Sequence, residues 1–272
     1  MNTRVRWADL PTPLRRLIET ETGAFAGEEH LASGSNCLLG MVMDTESGDR
    51  YFLKGVPDDR RRAVWTQSNE ALVNPSVRDL SASLEFHITA AGWDVLGFRY
   101  LANHRHADLS PGSADLPLIA DTLGKLGAVP APEGVALRTM SDRFAKYAGD
   151  RAGLLDGMTI AHTDMQAHNI LIGPTARLVD WAWPTLGAAW IDTAFLVLHL
   201  IRAGHHPKEA ERWAGALPAY ATGEEGAVSV LVAGNVALWD EISTADPQPW
   251  KLEVFDAASR WARHRGLLMA AR

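Results

Sequence analysis

Up to about position 103 the apolar residues come in short runs separated by turn-forming stretches, and beyond it they fall mainly at helical spacing. Runs at 24–32, 37–43, 51–56, 84–89 and 95–101 predict strands. Between the second and third lies Glu46-Ser47-Gly48-Asp49, a turn composition that predicts a hairpin. Helices are expected at 13–20, ahead of the strands, and at 59–73, among them. Further helices are expected at 114–126, 142–155, 191–203, 207–220, 225–242 and 252–271. The stretch 103–112 is polar and turn-prone, the composition of a connector. The pattern therefore predicts an α+β chain of two parts, a small strand-rich lobe at 1–102 and a larger helical lobe at 103–272.

Composition narrows the class. With 47% hydrophobic and 22% charged residues over 272 positions, the chain can build substantial cores, which excludes disordered and fibrous classes. Cys37 stands alone, so no internal disulfide can form and a reducing, cytoplasmic setting fits. No signal-peptide-type apolar run follows the N-terminus, and the longest apolar candidate for a span, 194–201, is far too short, so no membrane partner is expected. A formal net charge of −7 argues against nucleic acid as a partner, since phosphates draw a basic face. Nothing in the pattern speaks to oligomeric state.

The stretch richest in chemistry is Ile160-Ala161-His162-Thr163-Asp164-Met165-Gln166-Ala167-His168-Asn169-Ile170-Leu171-Ile172-Gly173, followed by Arg177-Leu178-Val179-Asp180-Trp181. Two apolar strands bracket a polar loop. Asp164, Asn169 and Asp180 offer the hard oxygens that Mg²⁺ takes, together with a carboxylate of the kind that serves an attacking hydroxyl. In the first lobe, Tyr51-Phe52-Leu53-Lys54-Gly55-Val56 sets a lysine in an apolar strand, a costly choice unless its ammonium reaches a partner.

The H-x-D-x-x-x-x-N loop with its downstream aspartate resembles the catalytic and metal-binding motifs of the aminoglycoside phosphotransferase and choline kinase-like family of the kinase-like superfamily. The resemblance implies a protein-kinase-like bilobal fold, with a small antiparallel sheet in the N-lobe and a helical C-lobe carrying the catalytic loop and acceptor site. It implies an ATP-dependent O-phosphotransferase that acts on a small-molecule hydroxyl, with GTP as the alternative nucleotide and Mg²⁺ as cofactor. Asp164 would be the catalytic base, and Asn169 and Asp180 the metal ligands. Lys54 would contact the α- and β-phosphates, with Glu70 orienting it. Gly34 and Ser35 would form the phosphate-covering turn, while Arg99, Tyr100 and Leu101 would form the hinge that receives the adenine edge. Asp192 would hydrogen-bond the catalytic-loop backbone, and His162 is expected to bond that backbone from a partly buried position. Gln166 and His168 receive no role.

The chain departs from protein kinases where Trp181-Ala182-Trp183-Pro184 follows the metal aspartate without Phe-Gly. An atypical protein kinase and a non-catalytic nucleotide-binding protein of the same fold are the alternatives. The first lacks support because there is no glycine-rich loop and no H-R-D, the second because no catalytic position is missing. Between positions 204 and 256, nine acids (Glu209, Glu211, Glu224, Glu225, Asp240, Glu241, Asp246, Glu253, Asp256) face three bases (Lys208, Arg212, Lys251). That excess favours a cationic or amine-bearing acceptor.

Overall fold

The computed structural model describes residues 4–30 and 37–269. The chain divides into two compact units, one running to His104 and including Val179–Trp183, the other comprising Arg105–Leu178 and the chain from Pro184 onward.

In the first unit a 3-10 turn, Trp7–Asp9, precedes α1 (Thr12–Thr22), which is followed by β1 (Phe25–His30), β2 (Leu39–Thr45) and β3 (Arg50–Pro57). Then come α2 (Arg61–Val77), β4 (Leu84–Ala90) and β5 (Trp93–Arg99). The strands form one antiparallel sheet in the order β1-β2-β3-β5-β4. Alternation along β3 sorts its side chains. Tyr51 and Leu53 join Leu14 and Ile18 of α1 with Leu39, Met41 and Met43 in one core. Phe52 faces the other way, with Leu96, Phe98 and Ala71 of α2. Lys54 shares the Phe52 side by the same alternation, which is the face that α2 covers. The expected hairpin at 46–49 joins β2 to β3, with Met43 opposite Tyr51. The tighter β4–β5 turn uses Ala91 and Gly92, both at positive φ (+53° and +81°), the backbone that a two-residue hairpin requires.

The second unit is mostly helical. Its elements are β6 (Arg105–His106), α3 (Leu116–Leu126), β7 (Arg138–Thr139), α4 (Met140–Ala148), β8 (Thr159–Ala161), β9 (Ile170–Ile172), β10 (Ala176–Leu178) and β11 (Thr185–Gly187). There follow α5 (Ile191–Arg202), α6 (Pro207–Gly215), α7 (Pro218–Ala221), α8 (Glu225–Ala245) and α9 (Pro249–His264). The short strands make two small sheets, β10-β9-β6 and β7-β11-β8. Every residue of α5 from Ile191 to Ile201 is buried, as expected of a helix that is apolar on nearly all sides.

Two expected helices are broken. α4 opens with a capping box, Thr139 with Asp142, and stops where Gly149 adopts φ +54°, after which the chain tightens into a 3-10 turn, Gly149–Leu155. The helix expected over 207–220 ends at Gly215 and restarts at Pro218, whose ring suits a first helical turn but not a helix interior. Among the described residues, no helix is long and apolar enough to cross a membrane.

Candidate active site

In the first unit, α2 and the Val179–Trp183 segment both bring carboxylates to Lys54. Its Nζ lies 2.7 Å from Glu70 Oε2 and 2.5 Å from Asp180 Oδ1. The lysine side chain is 12% exposed and that of Glu70 4%, whereas that of Asp180 is 39% exposed. The other carboxylate oxygen of Glu70, Oε1, accepts the N–H of Trp181 at 3.1 Å and so fixes the backbone one residue beyond Asp180. Burial works against the Lys54 charge, but the Glu70 and Asp180 carboxylates outweigh it and hold the ammonium well above its usual range. Asp180 itself sits at φ +62°, a left-handed conformation that Asp tolerates better than most residues.

In the second unit, β8 leads into the H-x-D-x-x-x-x-N loop and the 3-10 turn Ala167–Asn169 carries it into β9. His162 is fully buried, more so than expected, and its Nδ1 accepts the N–H of Asp164 at 3.2 Å. Met165, also fully buried, anchors the loop's apolar side. Asn169, buried, donates Nδ2 to the Asp164 carbonyl at 3.1 Å, a bond that leaves the oxygen of the same amide unused by it. Asp192, near the start of α5, accepts from the N–H groups of His162 and Thr163 at 2.8 Å each, the contact implied for it. Burial pushes its carboxyl up, opposed by the His162 ring, by those two donors and by the Arg143 guanidinium. His199, buried on α5, is pushed down to about 4 by desolvation, against the pull of the Asp164 carboxylate.

Sequence reasoning left Gln166 without a role, but its Nε2 donates to Asp164 Oδ1 at 3.0 Å, while His168 is exposed. It also missed Arg143, which lies on α4 and donates to the hydroxyls of Thr163 and Thr185. Gln166 fills a variable position of the H-x-D-x-x-x-x-N pattern, and Arg143 lies outside it, with contacts that cross 20 and 42 positions, a separation that local periodicity does not register. Of the remaining expected residues, Arg99 closes β5 and pairs with Asp49 at 2.9 Å, Tyr100 lies beneath Arg50 at 4.5 Å, and Leu101 packs against the Leu96–Phe98 cluster. Gly34 and Ser35 lie outside the described residues.

The donor set suits Mg²⁺. Among the described residues no group of three or more His, Cys, Asp or Glu side chains is placed to hold a metal. Mg²⁺ is ordinarily held by one or two carboxylates together with substrate phosphates and water. In the first unit, the partly exposed carboxylate of Asp180 is a donor of that kind, and in the second the side-chain amide of Asn169 offers an oxygen.

No family model and no curated protein sequence matches the chain. Solved structures do. Choline kinase LicA from Streptococcus pneumoniae superimposes with a TM-score of 0.63 at 14% identity, over 93% of this chain and 100% of that one. The same enzyme in complex with AMP gives 0.60 at 14%, over 94% and 100%. An aminoglycoside phosphotransferase from Alicyclobacillus acidocaldarius gives 0.57 at 14%, over 96% of each chain. The GDP and kanamycin complex of APH(2")-IIia gives 0.58 at 12%, over 93% and 99%. At these identities the likeness is one of fold: the chain has the kinase-like fold found in choline kinases and aminoglycoside phosphotransferases.

Proposed function

We propose that this protein is a Mg·ATP-dependent phosphotransferase that moves the γ-phosphoryl group to a hydroxyl of a small molecule, with GTP as the alternative donor. The observation that carries this reading is the meeting of Lys54 with Glu70 and Asp180, in which the lysine reaches Asp180 across 126 positions of sequence. A buried lysine held by one buried and one exposed carboxylate is poised to exchange part of its pairing for phosphate oxygens. The similar structures that hold AMP or GDP support a nucleotide for this fold.

In this reading residues 1–102 bind the nucleotide and residues 103–272 supply the catalytic loop and acceptor site. Lys54 holds the α- and β-phosphates, and Glu70 keeps it directed. Arg99 and Tyr100 spend their N–H groups on Ser83 and Arg50 carbonyls, so an adenine edge would be read at Leu101. Mg²⁺ held through the oxygens of Asp180 and Asn169 would supply neutralisation of the β- and γ-phosphate charge. Gln166 occupies Asp164 Oδ1, which leaves Oδ2 to take the proton from the acceptor hydroxyl. The hydroxyl oxygen bonds to the γ-phosphorus as the bond to the bridging oxygen breaks, and the nucleoside diphosphate leaves.

The preference for a cationic acceptor has a narrower basis in the structure than in the sequence. Of the nine acids between 204 and 256, Glu211, Glu225, Glu241, Asp246, Glu253 and Asp256 are ion-paired. Four of their partners, Lys146, Arg202, Arg260 and Arg265, lie outside that window and so escaped the sequence count. An amine on the acceptor therefore has Glu209, Glu224 and Asp240 as its candidate partners.

The test is a nucleotide titration with and without Mg²⁺ on wild type and Asp180→Ala. Wild type is expected to gain affinity with the metal and the variant to lose that gain. An unchanged gain in the variant would remove Asp180 from the metal site.

A further inference from the structure

Thr163 joins His162 to Asp164 at a place where the backbone is strained. It is β-branched and buried, and its φ is +66°, a left-handed conformation that a branched side chain strongly disfavours. Such conformations persist only where the surroundings hold them. On the backbone side, the Thr163 N–H donates to Asp192 Oδ1 at 2.8 Å. On the side-chain side, Arg143 Nη1 donates to Thr163 Oγ1, and also to Thr185 Oγ1 at 2.7 Å. Thr185 pairs with Ala161 on β8, the strand that feeds the loop. One guanidinium thus ties the strained residue to the sheet that delivers it. Burial lowers this guanidinium to about 10, with Arg138 adding to the fall and Asp164 and Asp192 opposing it, so it remains charged at neutral pH.

We propose that Arg143 is a positioning residue for phosphoryl transfer, holding Thr163 in its left-handed conformation through Oγ1 and thereby setting the direction of the adjoining Asp164 carboxylate. The proposal rests on Asp164 being the base. Glycine would reach the same φ without strain but would offer Arg143 no hydroxyl. A lysine would bring a single point charge in place of the rigid, fixed-geometry donors of arginine.

The probe is Mg·ATP with water as acceptor, read as phosphate release, alongside thermal melting. Arg143→Met is expected to lower turnover by roughly 10- to 10²-fold, the scale of a small misplacement of a reacting group, with KM for Mg·ATP unchanged. Thr163→Ser should restore most of the turnover that Thr163→Ala loses. In melting, Thr163→Gly should lower Tm more in the wild-type background than in Arg143→Met, where the hydroxyl has already lost that partner. Equal Tm shifts in the two backgrounds would overturn the proposal. So would wild-type turnover in Arg143→Met while Asp164→Ala is impaired. Full turnover in Asp164→Ala would instead remove the base assignment, and the proposal with it. Where water proves too poor an acceptor for measurable release, turnover is read instead with a hydroxylated small molecule as acceptor, by ADP formation.

Discussion

Replacing Glu70 by alanine removes a carboxylate whose two oxygens do different work. Oε2 takes Lys54 Nζ at 2.7 Å and Oε1 takes the Trp181 N–H at 3.1 Å. The lysine, 12% exposed, would be left with Asp180 as its carboxylate partner. Breaking a buried pair by removing one member costs about 3–5 kcal/mol. The Asp180 arm is 39% exposed and screened by solvent, so strengthening it recovers less than about 1 kcal/mol. Against a typical whole-domain stability of about 5–15 kcal/mol, the expected loss is a large fraction. Lys54→Met is also costly, because it leaves Glu70 and Asp180 facing each other across the vacated place. The double variant removes both problems at once, so the cycle should show a coupling of roughly 2–3 kcal/mol. Glu70→Gln still accepts from Trp181 and should fall between wild type and Glu70→Ala. The assay is urea unfolding at neutral pH, followed by circular dichroism and tryptophan fluorescence together, since coincidence of the two justifies a two-state treatment of a chain with two units. A loss under about 1 kcal/mol for Glu70→Ala, or an additive cycle, would show that no buried pair exists.

Asp164→Ala should reduce turnover by roughly 10²-fold or more while leaving nucleotide affinity and melting nearly unchanged; turnover within a few-fold of wild type excludes it as the base. A pH effect on stability is expected in the first unit, where buried Asp94 pairs with His87 Nε2 at 2.8 Å and accepts from Thr89 at 2.9 Å. The bond to Asp94 raises His87 above its ordinary 6.5 against the effect of burial. Burial pushes Asp94 up, but its bonds from His87, Thr89 and Gln67 prevail and hold it below 3.8. The raised histidine contributes fully below its unfolded value and loses that contribution as pH rises through its folded one; the lowered aspartate contributes above its unfolded value and fails as pH falls through its folded one. The Tm advantage of wild type over His87→Gln should therefore be larger near pH 5.5 than near pH 9, and an equal advantage at both would contradict the pairing.

The features legible in the sequence are those encoded locally. The five strands of the first unit announced themselves through apolar runs and turn residues, and the chemistry-bearing loop through side-chain types at fixed spacing. The breaks at Gly149 and Pro218 had local signals too, a helix-stopping glycine and a helix-starting proline, but the surrounding apolar periodicity ran across both. β6, β7 and β11, of two or three residues each, are too short for any period to show. The left-handed φ of Thr163 left no signal in the sequence, because it is a property of backbone geometry, not composition. Glu70 could be picked out as a partner for Lys54, but its hold on the Trp181 N–H spans 111 positions and becomes visible only in three dimensions.

The most direct test of the central claim is to incubate the protein with Mg·ATP and a panel of hydroxylated small molecules and to read each product by mass. The account predicts that at least one hydroxyl-bearing compound gains a single phosphoryl group as ADP accumulates, and that Asp164→Ala reduces this transfer by roughly 10²-fold or more. Transfer of an adenylyl group instead, or phosphoryl transfer that proceeds equally well in Asp164→Ala, would contradict it.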